Sequence, residues 1–76
     1  MGTERITSNP NILFGKPVIR GTRIPVELIV EKFADGETVE SILQSYPHLK
    51  KEDIASALEF AAQVLRSDII YPVEAA

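Results

Sequence analysis

Between Pro25 and Pro72 only Gly36 and Pro47 interrupt the chain with a helix-breaking residue. Proline lacks the amide hydrogen a helix interior needs, and glycine favours helix ends. The chain is therefore cut into three helix-sized pieces, and no architecture of long strands fits residues 25–66. Pro25 suits the first helical position, where its missing N–H is not needed. Val26, Ile29, Val30 and Phe33 then recur at i, i+3, i+4 and i+7. Asp35-Gly36 ends this helix, with Gly36 in the left-handed cap. Thr38 is a good N-cap for a second helix with the apolar stripe Val39, Ile42, Leu43 and Tyr46, and Pro47 stops it. A third helix is predicted from about Lys51 to Arg66. Leu49 and Ile54 are spaced as a hydrophobic staple about position 50. Lys50 is itself a poor cap, although Glu52 and Asp53 suit the first turn. The core stripe of this helix reads Ile54, Ala57, Leu58, Ala61, Leu65, and Phe60 and Val64 widen it. Its opposite face reads Glu52, Ser56, Glu59 and Gln63.

The first 24 residues read differently. Asn9-Pro10-Asn11, Gly15-Lys16-Pro17 and Gly21-Thr22 are turn signals around the short apolar pieces Ile12–Phe14 and Val18-Ile19. Short strands are expected near Arg5–Thr7 and Val18–Arg20. The expected organisation is one domain. It comprises an N-terminal β and loop segment (1–24), a three-helix unit (25–66) and a C-terminal tail (67–76). In the tail Pro72 precludes a helix, and Ile69, Ile70, Tyr71 and Val73 form an apolar cluster. The fold class is mostly α: a three-helix, homeodomain-like helix-turn-helix unit with a short two-stranded β segment.

A chain of 76 residues buries little core for its size. It has no cysteine for disulfides, and its one histidine, His48, is not a zinc site. Association is the remaining route to stability, so a homodimer is expected, with Phe60 and Val64 at its interface. No apolar run approaches the roughly 20 residues that span a bilayer, and cytoplasmic residence is expected. No cofactor and no catalytic activity are expected. There is no thiol nucleophile, and Glu52 and Asp53 diverge by about 100° on a helix.

The net charge is −3, unevenly spread. Residues 1–26 carry four cations against Glu4 alone, a net of +3, whereas residues 27–76 carry four against ten carboxylates, a net of −6. This fits either oppositely charged partners at the two ends or ordinary surface scatter. Arg20, Arg23 and Lys16 form the best cationic cluster. They read equally as an anion contact or as turn residues whose arginines pair with Glu27 and Glu31. Lys50 and Lys51 could hold phosphate, and Ser56 and Gln63 could read bases, although Glu52 and Glu59 oppose a DNA backbone.

The strings Ile6-Thr7-Ser8-Asn9-Pro10 and Gly15-Lys16-Pro17-Val18-Ile19-Arg20-Gly21-Thr22-Arg23-Ile24-Pro25-Val26 resemble the bacterial family catalogued as domain of unknown function 433. So do Asp35-Gly36-Glu37-Thr38-Val39 and Tyr46-Pro47-His48-Leu49, and the likeness covers roughly residues 4–62. The resemblance implies a homeodomain-like helical fold with a short sheet. It also implies an antitoxin role beside a PIN-like nuclease toxin, with the antitoxin binding its operator DNA and masking the toxin. On that expectation Lys50, Lys51, Ser56 and Gln63 face DNA, with Arg20 and Arg23 as auxiliary phosphate contacts. The alternatives are a protein-interaction module without DNA binding and, more distantly, a small-ligand domain.

Overall fold

A computed structural model describes residues 4–67. The expected tail cluster Ile69, Ile70, Tyr71 and Val73 lies outside the described residues. The elements run β1 (Ile6–Thr7), a 3-10 turn (Leu13–Gly15), β2 (Val18–Ile19), α1 (Val26–Ala34), α2 (Val39–Ser45) and α3 (Lys51–Ser67). This is the expected mostly helical fold with a short N-terminal sheet. No helix among the described residues is long and apolar enough to cross a membrane.

The sheet has two rungs, with Ile6 opposite Ile19 and Thr7 opposite Val18 in antiparallel register. Two rungs do not stand alone in water. They persist because Val18 and Ile19 are buried and because β1 lies against α3. Beyond β2 the chain makes a tight excursion. The Thr22 hydroxyl donates to the Ile19 carbonyl at 2.7 Å and accepts from the Ile24 N–H at 3.0 Å. Ile24 then returns beside Ile19, whose N–H donates to the Ile24 carbonyl at 3.0 Å.

Pro25 is the cap of α1 and not its first helical residue, with extended φ −75° and ψ 151°. It has no side-chain acceptor, so the Val26 N–H donates instead to the Pro17 carbonyl at 3.0 Å. At the far end Gly36 adopts φ +90°. Its N–H donates to Phe33 at 2.9 Å, and the Glu37 N–H reaches the Lys32 carbonyl at 3.0 Å. This pair of bonds is the Schellman arrangement, and it satisfies carbonyls that a helix end leaves open. Glu37 then clasps both helices: its carboxylate accepts from Lys32 Nζ at 3.2 Å and from the Ser41 hydroxyl at 3.0 Å. Thr38 caps α2 as expected, accepting from the Ser41 N–H at 3.1 Å.

Leu49 and Ile54 are both buried, forming the staple that starts α3. Lys50 offers no acceptor, and Asp53 compensates from three residues on. One carboxylate oxygen accepts the Lys50 N–H at 2.9 Å, the reciprocal half of a capping box. The other oxygen accepts from Arg5 Nη1 at 3.1 Å, pinning the residue before β1 to α3. The core is Ile19, Ile24, Val26, Ile29, Ile42, Leu49, Ile54 and Ala57, with Phe60 and Ala61 packed at its edge.

The expected face of α3 is corrected here. Leu58 and Leu65, assigned to the core, are 37% and 65% exposed, while Ser56, assigned to solvent, is 1% exposed. The buried stripe is centred near Ala57 and Phe60, turned roughly 60° or more from the assigned one at about 100° per residue. The cause is that α3 must cover α1 on one flank and β1 on the other. Centring on Ala57 and Phe60 serves both neighbours.

The apolar piece Ile12–Phe14 does not enter the core as a unit. Leu13, Phe14 and Gly15 have φ of +50°, +59° and +84° in succession, and Phe14 is 99% exposed. Left-handed backbone costs a non-glycine residue about 1–2 kcal/mol. The turn is held by the Asn9 side chain, which accepts from the Asn11 N–H at 2.8 Å, and by Ile12 N–H to Asn9 carbonyl at 2.8 Å.

Two expectations follow. Asp53→Ala removes a cap bond and a cross-chain ion pair together and should lower stability by about 1–2 kcal/mol in urea unfolding. Glu37 titrates below its ordinary value of 4.5, first because Lys32 donates to it and then because Ser41 does. A depressed folded pKa stabilises above the ordinary value, and the gain disappears as pH falls through the folded one. Glu37→Gln should therefore flatten the loss of thermal stability between pH 7 and pH 3. An unchanged acid limb would remove Glu37 from it.

Candidate functional site

Of the residues expected to meet DNA, one is withdrawn from the surface and two are engaged within the chain. Ser56 is buried in the chain's own interior, so it cannot read a base. Gln63 is exposed, but its amide donates to Glu59 at 3.2 Å, and Glu59 also receives Arg66 at 3.5 Å. Arg20 donates through Nε at 2.9 Å and through Nη2 to the Glu4 carbonyl, and its own N–H donates to the Arg5 carbonyl at 2.7 Å. It closes the β ribbon. Lys50, Lys51 and Arg23 are exposed and join no ion pair among the described residues. Of the two readings of the cationic cluster, neither arginine reaches Glu27 or Glu31. Lys16 does, contacting Glu27 at 3.2 Å.

A different surface lies between α1 and α3. At 1.5 Å per residue the seventeen-residue α3 outruns the nine-residue α1 by roughly 12 Å. The last turns of α3 face the first turns of α1 across a groove of about 340 Å³. Its walls are Val26 and Val30 of α1, Ala61, Val64 and Leu65 of α3, and Pro17 from the loop before β2, with the carboxylates of Glu27 and Glu31. Val64 is 56% and Leu65 65% exposed. Glu31 joins no ion pair among the described residues. Of the two residues expected at an oligomer interface, Val64 lines the groove, whereas Phe60 is packed against the core.

The groove was half visible in the sequence, because the apolar residues of α3 were too widely spread for one core face. Phe14 was missed. The available signal was an aromatic residue followed by glycine at the end of an Asn-Pro-Asn turn, with no strand or helix to carry it inward. No group of three or more His, Cys, Asp or Glu side chains among the described residues is arranged to hold a metal.

Comparison with known proteins places these features in one family. The model described as "Protein of unknown function (DUF433)" matches residues 6–61. A relative from Sinorhizobium fredii (strain NBRC 101917 / NGR234), named "Uncharacterized protein y4eO", is 45% identical over 58 residues. That stretch is 76% of this chain and 26% of the relative, so the chain spans about a quarter of the relative's length. A crystal structure of a DUF433 member protein from Anabaena variabilis ATCC 29413 superposes with a TM-score of 0.75 at 34% identity. The match covers 78% of this chain and 58% of that one.

The two faces of α3 give opposite mutational outcomes. Ser56→Lys forces a charge and extra volume into a packed interior and should cost at least about 2–3 kcal/mol. Leu65→Lys, on the exposed groove wall, should stay within about 0.5 kcal/mol of the parent. Urea unfolding of both variants is the check. Equal costs would mean the helix is rotated otherwise.

Proposed function

The chain belongs to the DUF433 family, and on that premise we propose that it works by associating with protein and not by turning over a substrate, with the α1–α3 groove as its contact surface. The observation that carries this is the groove itself. Contiguous exposed apolar surface rimmed by charge marks contact sites on small domains, and here Val64 and Leu65 supply it beside Glu27 and Glu31. Four carboxylates are held in ion pairs, Asp53 with Arg5, Glu37 with Lys32, Glu27 with Lys16 and Glu59 with Arg66, and Glu31 stands open at the groove. The antitoxin-like role implied by the resemblance, masking a nuclease toxin, is one form of such association. Operator binding has narrower support, the exposed Lys50 and Lys51 at the start of α3, which join no ion pair among the described residues. A salt-dependent shift with duplex DNA, lost when both become alanine, would count for it.

The test is a photo-crosslinking residue placed at position 65 and, as a control, at exposed position 44 of α2, in the native host. Position 65 should yield protein adducts that position 44 does not. Equal yields would remove the groove from the function.

A further inference from the structure

We propose that Phe14 of one copy seats in the α1–α3 groove of a second copy, and reciprocally, closing a two-fold dimer. This rests on the reading of the groove as a protein contact and names its occupant. Phe14 is 99% exposed at the tip of three successive left-handed residues. Backbone held in such a conformation around an outward aromatic gains no burial within its own chain, and strain of this kind concentrates where a residue contacts something else. The groove is the matching shape. A void of roughly 150 Å³ already accommodates a benzene ring, and this one offers about 340 Å³ with apolar walls.

Knob and socket lie side by side on one face. Pro17, three residues past Phe14, is a wall of the groove, and Lys16 contacts Glu27 at the groove at 3.2 Å. A surface carrying both halves of a contact is self-complementary under a two-fold axis, whereas halves on opposite faces would build open chains. The charges agree. Lys16 and Glu27 pair with each other within one copy, while Arg23 and the groove's Glu31 join no ion pair among the described residues, which leaves one cation and one carboxylate for a contact between copies. Two aromatic knobs form a small interface, so dissociation on the order of tens to hundreds of micromolar is expected.

Sedimentation equilibrium of the full chain reads this directly. Wild type should approach twice 8.4 kDa as concentration rises into that range. Phe14→Gly keeps the fold, because its φ of +59° suits glycine, and should raise the dissociation constant about thirtyfold or more. Leu65→Lys, which blocks the socket, should do the same. A mixture of the two variants restores one knob and socket and should contain dimers at concentrations where each alone is monomeric. A wild type that stays monomeric at about 1 mM, above the expected range, or a mixture without dimers, overturns the proposal. Loss of association in Leu65→Lys but not in Phe14→Gly also overturns it, while leaving the groove as a contact surface. If neither variant alters an observed dimer, the reading of the groove fails as well.

Discussion

The Asp53 carboxylate is where the start of the ribbon meets the start of α3. One oxygen supplies the cap that Lys50 cannot, and the other receives Arg5 from the start of the ribbon. Without the first bond the opening turn of α3 loses the side-chain acceptor of the Lys50 N–H. Without the second, the two-rung sheet loses its ion pair to α3 and keeps the burial of Val18 and Ile19 and the Arg20 bonds to Glu4 and Arg5. A single side chain therefore couples the start of the longest helix to the smallest sheet. The rotation of α3 onto Ala57 and Phe60 fits this coupling, because Asp53 lies on the same side of the helix.

The second joint is local. The Schellman turn at Gly36 and the Glu37 clasp lock α1 to α2 through Lys32 and Ser41, and the Lys32 ammonium also sits 5.7 Å from the Tyr46 ring centre. Apart from the Lys32–Tyr46 contact they join residues close in sequence, and the helix boundaries they serve were legible there. Pro25, Gly36, Thr38 and Pro47 each announce a boundary by backbone chemistry alone, and the staple of Leu49 and Ile54 announces the start of α3. The rotation of α3 was not legible. Its apolar residues cover well over half of the circumference, so periodicity permits several buried faces, and the choice depends on β1 and α1 packing from two sides. Ser56 was misplaced for that reason. Its small size lets it fill a tight interior position as readily as it meets water.

The candidate site was legible in composition more than in geometry. The surplus of apolar residues on α3 and the opposed charge of the two segments are in the sequence, but the groove between α3 and α1 depends on how the helices cross. Arg20 illustrates the same limit. A guanidinium in a glycine-rich loop reads as an anion contact, yet here the nearest acceptor is a backbone carbonyl across the ribbon.

The Arg5–Asp53 contact joins residues 48 apart, whereas the caps and the clasp join residues three to five apart. Closing a long loop costs more chain entropy than closing a short one, so local contacts can form before distant ones. Loop-closure entropy therefore favours forming the helical pieces and their junctions ahead of the docking of β1 onto α3. In reverse, loss of the Arg5–Asp53 contact would free β1 from α3 while the local joints between α1 and α2 stay closed.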